Sequence, residues 1–207
     1  MNRRILIVTC CISVLTLALA GTVSSQSNDS GNVKTTISPV HSIASSTVVP
    51  AAGASLSRNN AGVFANISSS GLTPGHVITF WWVIYNNPEF CVTTACAPTD
   101  LNNPAVNGAL QYGGGTIADL GGRVNFSGYL AVGDNSGFYL NPMFPNMPNP
   151  SPGIVSAKKA QIHLALRSHG FPNPDPAILQ EQLTTFPGGC SVAVPACATL
   201  QFSPFFP

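Results

Sequence analysis

The chain has 207 residues, enough for one domain with additions, and only 7% of them are charged, against about 25% in ordinary soluble proteins. Eight Lys and Arg stand against seven Asp and Glu, so no basic stripe exists to neutralise phosphates, which argues against nucleic acid as a partner. The same scarcity of charge argues against coiled coils and long surface helices, and an apolar content of 44% argues against disorder throughout.

Arg3 and Arg4 precede an apolar run over residues 5–20 that ends in Ala18-Leu19-Ala20. The run is shorter than the roughly 20 residues of a membrane-spanning helix, and it ends in the small-x-small pattern of a cleavage site. Residues 1–20 therefore read as a signal peptide, with Cys10 and Cys11 leaving inside it. No Cys follows the run to carry a lipid. The mature chain then has six basic and seven acidic residues, no transmembrane anchor, and a periplasmic or extracellular destination. Residues 21–50 are rich in Ser, Thr, Asn and Val, with Asp29 and Lys34 the only charges. Such a segment lacks the apolar surface to offset its ordering entropy. It reads as a flexible leader, unless Val48 and Val49 begin the first strand. Residues 51–207 form the single folded domain.

Short segments separated by Gly, Pro and Asn follow. Val63, Ala65 and Ile67 mark an early strand, and Asn59-Asn60 suggests a tight turn before it. Thr73-Pro74-Gly75-His76 suits a type II turn, because Pro74 fixes φ and Gly75 tolerates positive φ. It is expected to join strand 61–69 to strand 77–85 as a hairpin. Residues 77–85 (VITFWWVIY) are apolar on both faces and predict a central strand covered on each side. Trp81 and Trp82 must then face opposite ways. Both are expected in the core, with a sugar-stacking platform as the alternative for one of them.

Residues 123–132 alternate cleanly, with Val124, Phe126, Gly128, Leu130 and Val132 on one face and Arg123, Asn125, Ser127 and Tyr129 on the other. Asp134-Asn135-Ser136-Gly137 lacks the ligand count of a tight calcium loop and reads as a turn. Residues 161–169 also alternate, with Ile162, Leu164 and Leu166 inward and Gln161, His163, Arg167 and His169 outward onto a solvated face. Asp175 as N-cap and Pro176 at the first helical position predict one short helix over 176–183, ended by Phe186-Pro187-Gly188-Gly189. Leu200 and Phe202 mark the last strand. The fold class is all-β, an antiparallel β-sandwich of about seven to nine strands, with a partly open barrel as runner-up.

The mature chain keeps Cys91, Cys96, Cys190 and Cys197. An even count in an exported protein predicts two disulfides, for which three connectivities are open. Cys91–Cys96 and Cys190–Cys197 are preferred because each closes a short loop. Zinc binding by these residues would want C-x-x-C spacing, which neither pair has.

The candidate polar cluster is His76, His163, Arg167, His169 and Glu181. His163 and Arg167 share a face of one strand, and His76 and Glu181 are the side chains that could join them around a metal or an anion. His163 and His169 alone cannot share a metal, since six residues of strand span about 20 Å. On the opposing reading the cluster is a solvated strand face, and His163→Ala and His169→Ala each change stability by no more than about 0.5 kcal/mol. No G-x-S-x-G elbow marks a serine hydrolase, and no spacing singles out a carboxylate pair for glycoside hydrolysis among Glu89, Asp100, Asp119, Asp134, Asp175 and Glu181. A blue-copper site lacks a free Cys, and Met143 and Met147 lie in a Pro-rich segment. No catalytic residue, metal ligand or cofactor is assigned.

The chain resembles an uncharacterised group of secreted bacterial proteins. The resemblance rests on Ser70-Gly71-Leu72-Thr73-Pro74-Gly75-His76, Trp81-Trp82-Val83-Ile84-Tyr85-Asn86-Asn87-Pro88 and Cys91. It continues through Gln161-Ile162-His163-Leu164, Arg167-Ser168-His169-Gly170, Glu181-Gln182 and Thr185-Phe186-Pro187-Gly188-Gly189-Cys190. It covers most of residues 52–203, with residues 141–153 as a local elaboration. It supports a single exported domain and implies no activity, ligand or site residue. The leading expectation is a non-catalytic binding or surface-association module with a ligand in the envelope or outside the cell. The competing expectation is a small secreted enzyme or metal-binding protein built on the His/Arg cluster.

Overall fold

The computed structural model describes residues 33–190 and 197–207. The signal-peptide expectation for residues 1–20 and the leader expectation for residues 21–32 lie outside the described residues. Among the described residues, nine strands and one α-helix run in the order β1 (Lys34–Ser38), β2 (His41–Ser42), β3 (Gly53–Arg58), β4 (Gly62–Ser69), β5 (Val77–Tyr85), β6 (Gly108–Ile117), β7 (Val124–Ala131), β8 (Gln161–His169), α1 (Pro176–Thr184) and β9 (Cys197–Phe205). They form two antiparallel sheets, one ordered β1-β3-β4-β7 and the other β2-β9-β8-β5-β6. The fold is an all-β sandwich with one helix, as the alternation and the Asp175-Pro176 signal predict. The Asp175 side chain accepts the backbone N–H of Ala177 at 2.9 Å.

Alternation places the inner faces. Leu56, Val63, Ala65, Ile67, Val124 and Leu130 from one sheet meet Ile78, Phe80, Trp82, Ile84, Ile162, Leu164 and Leu166 from the other in a common core. The five-stranded sheet also buries its outer face. Trp81, Tyr85, Leu110 and Ala165 pack there under Leu101, Val106 and Met147, with Phe186, Tyr112 and Tyr139 closing over them. The molecule thus has a third layer made of α1, the single-turn helical segments between residues 88 and 106, and the loop around residues 138–147.

Three expectations are corrected. Residues 33–50 are not all leader, because Lys34–Ser38 pairs with β3 from Lys34↔Arg58 to Ser38↔Ala54 and His41–Ser42 pairs with β9. An edge strand with an open outer face needs few apolar residues, which is why composition alone hid it. The turn at Thr73-Pro74-Gly75-His76 forms, with Gly75 at φ 77° and His76 N–H donating to the Thr73 carbonyl at 3.2 Å. It does not make a hairpin, since β4 pairs with β3 and β7 while β5 pairs with β6 and β8. The chain instead crosses from one sheet to the other there. The third correction concerns β8, which is buried on both faces. The Asn59 turn is as expected: its side-chain oxygen accepts from Ala61 and Gly62, and β3 and β4 pair across it.

Both short-loop disulfides are present, Cys91–Cys96 with a Cα–Cα distance of 5.3 Å and Cys190–Cys197 with 5.6 Å. One internal cation also ties the fold together. Arg58, 1% exposed, donates to the carbonyls of Ala157 (2.7 Å), Ala160 (2.6 Å), Phe205 (3.1 Å) and Phe206 (3.2 Å). Burial lowers its pKa to about 10, which leaves it charged at neutral pH.

Candidate functional site

The His-bearing strand lies under the third layer. Gln161, His163 and His169 are buried; α1 and the segment after it close over the Arg167–His169 end, and Tyr85 and Phe202 pack against His163. The expected solvated face is therefore corrected: polar-outward alternation there reflects polar groups with protein partners.

Those partners can be traced atom by atom. Trp81 Nε1 donates to Thr79 Oγ1 at 2.8 Å, and Thr79 Oγ1 lies 2.8 Å from His169 Nε2. His169 Nδ1 lies 2.9 Å from the Gly188 carbonyl, which can only accept. The proton consequently sits on Nδ1, and Nε2 takes the Thr79 hydroxyl proton. Burial lowers the His169 pKa to about 4, so the ring is neutral. Both ring nitrogens are engaged in the scaffold.

His163 behaves alike. Its Nε2 lies 2.7 Å from the Gln161 side-chain nitrogen, and its ring meets Tyr85 edge-on at 5.1 Å. Burial pushes its pKa to about 4. Arg167 donates from Nε to the Phe186 carbonyl at 2.9 Å and lays its guanidinium 4.2 Å from the Phe186 ring centre. Phe186 in turn packs edge-on against Trp81 at 5.1 Å and stacks on Tyr139 at 5.2 Å.

The other two members stand apart. His76 leaves the turn before β5, places Nδ1 3.0 Å from Ser168 Oγ and meets Phe171 edge-on at 4.6 Å. Ser168 projects to the face of β8 opposite His169, so His76 does not join the ring that Thr79 holds. Glu181 is exposed on α1, and its backbone carbonyl accepts from the N–H and hydroxyl of Thr185. The five residues are not one cluster.

Two groupings have donor atoms within 4.8 Å of one another, His169 with Cys190 and Cys197, and Cys91 and Cys96 with Asp100. In each the two sulfurs are joined to one another, and a disulfide sulfur lacks the thiolate that binds a metal. The aspartates work locally: Asp100 accepts from Val92 and Ala97, Asp119 from Gly121 and Arg123, and Asp134 from Ser136. Asp134 thus heads the expected turn, with these bonds holding its carboxyl below the usual range.

A second place was not legible as a site. Between the β6 edge of one sheet and the β7 edge of the other lies a cleft of about 330 Å³, lined by Trp82, Gln111, Tyr112, Gly113, Gly128, Leu130 and Asp134, among others. Gly113 lets Phe80 and Trp82 pack against the β6 backbone beside it, since a Cβ there would fall 2.4 Å from the Phe80 ring and 2.9 Å from Trp82 Nε1. The signal in the sequence is the run Gly113-Gly114-Gly115 in a strand, which marks a close approach of other groups to the backbone.

The structure defines a two-sheet, disulfide-bonded β-sandwich in which His163 and His169 are buried and hydrogen-bonded to the protein's own groups. Comparison with protein-family models, curated proteins and solved structures found no match to this chain.

Proposed function

We propose that this chain is an exported, non-catalytic module for binding or surface association in the envelope or outside the cell. The observation that carries this reading is the open face of the four-stranded sheet. Its register sets Thr35, Ser57, Phe64 and Tyr129 in one row and Ile37, Ser55, Asn66 and Ser127 in the next. Ile37 is 82% exposed, Tyr129 55% and Phe64 42%. These two rows combine hydroxyl and amide groups with aromatic and apolar side chains and carry no charge, so solvent and a neutral surface compete for them on nearly equal terms.

Export is supported by the two disulfides, by the sequence of residues 1–20 and by the resemblance to secreted proteins. The His/Arg alternative loses support because His163, Arg167 and His169 are bonded to the protein's own groups.

Co-sedimentation with insoluble envelope material from the producing cells tests the reading. The wild-type protein is expected in the pellet, and a Phe64→Ser/Tyr129→Ser variant in the supernatant. Wild-type protein that stays in the supernatant would sink the proposal. So would a zinc- or copper-dependent rise in the unfolding midpoint that His169→Ala abolishes, which would revive the metal-protein reading.

A further inference from the structure

We infer that the cleft between the β6 and β7 edges is a binding site for one ring of a neutral polyhydroxylated ligand, a sugar or cyclic polyol. The inference deepens the binding-module reading and rests on it.

The cleft is unusual in what it leaves unpaired. Trp82 is 2% exposed, and its indole N–H has no acceptor among the described residues. Its nitrogen packs closely against the backbone of Gly113, where a Cβ would fall 2.9 Å from it. Gln111 is 1% exposed, and its Oε1 has no donor. The orientation of that amide is set by its other end, because Nε2 donates to the Asp134 carbonyl at 2.7 Å and an oxygen there would face another oxygen. Gln111 Oε1 is therefore a buried acceptor at the cleft without a partner, and the Trp82 indole N–H adds a donor that no described residue takes up. Groups left so are costly, and they favour a ligand that supplies both functions from adjacent atoms.

A hydroxyl group donates and accepts, and a polyol presents several of them a few ångströms apart. Asp134 adds a carboxylate, already held by the Ser136 N–H at 2.9 Å and by the Ser136 side chain. No Lys or Arg lines the cleft, so an anionic ligand finds no counter-charge and meets the Asp134 carboxylate instead. Leu130, Gly113, Gly128 and the Trp82 edge supply apolar wall for C–H groups. The volume of about 330 Å³ lies at the small end of ligand sites, which run from about 300 to 1,000 Å³.

The test is an NMR titration of the folded, disulfide-bonded protein with glucose, N-acetylglucosamine and myo-inositol. Glucuronate and cyclohexanol serve as charged and apolar controls. The two tryptophans report separately, because the Trp81 indole is committed to Thr79. We expect at least one neutral polyol to move the Trp82 indole resonance saturably at millimolar concentration, with the Gln111 side-chain amide following and the Trp81 resonance still. Gln111→Leu and Gly128→Ala should each weaken binding at least tenfold. The second adds a methyl 3.4 Å from the Trp82 ring without touching a polar group, so it reports on the cleft even if the first variant misfolds. A Trp82 resonance unmoved by all three polyols overturns the inference, as does a shift that survives Gly128→Ala. Equal or tighter binding of cyclohexanol or glucuronate overturns the ligand class while leaving the module reading to the sedimentation result.

Discussion

His169 shows how a side chain with catalytic potential becomes structural. Its two nitrogens sit between a hydroxyl and a carbonyl supplied by β5 and by the segment after α1. Truncation strands both partners in a buried place, so His169→Ala should cost about 1–3 kcal/mol in chemical unfolding, well beyond the near-neutral change expected of a solvated face. The pH dependence has a definite sign. His163 and His169 have folded pKa values near 4, below the ordinary value of about 6.5. The unfolded chain therefore binds more protons between those limits. Stability should be fully present above about pH 6.5 and fall as pH drops toward 4, and His163→Gln should make that fall shallower. Urea midpoints measured across this range decide it. Arg58 makes a parallel case with a permanent charge. Arg58→Met leaves four carbonyls without their donor and should cost at least about 3 kcal/mol, and Lys at 58 should recover little, since an ammonium cannot reproduce the guanidinium fork.

At the scale of elements, α1 is held by fit as much as by burial. Gln182, its one buried residue, donates to the carbonyls of His169 and Phe171 and accepts from Asn173 N–H. Tyr112 Oη donates to the Leu183 carbonyl at 2.7 Å. Gly115 on β6 lies directly beneath, where a Cβ would fall 2.0 Å from that same carbonyl oxygen. Gly115→Ala should therefore push α1 off the sheet at a cost of about 1–3 kcal/mol, with faster amide exchange in residues 176–184. Reducing the disulfides should cost less than their number suggests. Each closes a loop of a few residues, for which the chain-entropy model gives about 2 kcal/mol, and thermal unfolding with and without reductant measures it. Much of this was legible in the sequence. Val124, Phe126 and Leu130 announce β7 by period-two alternation, and Asp175-Pro176 announces α1 because capping is a local property. What failed was non-local. A turn at Pro74-Gly75 does not say which sheet the next strand joins. The outward residues of β8 look the same whether water or a third layer covers them, and that layer, built of loops, has no period to read. The His/Arg set was legible as residues but not as a site, since what decides its chemistry is where Phe186 and Gly188 return.

For the whole molecule, the position of β9 is the feature with the widest consequence. It lies between β2 and β8, so residues from near both ends of the domain sequence are neighbours in one sheet. Two of the four carbonyls around Arg58 come from the same stretch, at Phe205 and Phe206. The five-stranded sheet therefore cannot close while residues 197–207 are still unavailable, however much of the chain has already been synthesised. Non-local pairing of this kind is slow, because loop entropy is lost before the contacts that compensate it form. Without residues 197–207, β2 and β8 lack the strand that joins them. Protein ending at residue 196 should consequently remain protease-sensitive throughout, where the full chain becomes resistant in a single step after release.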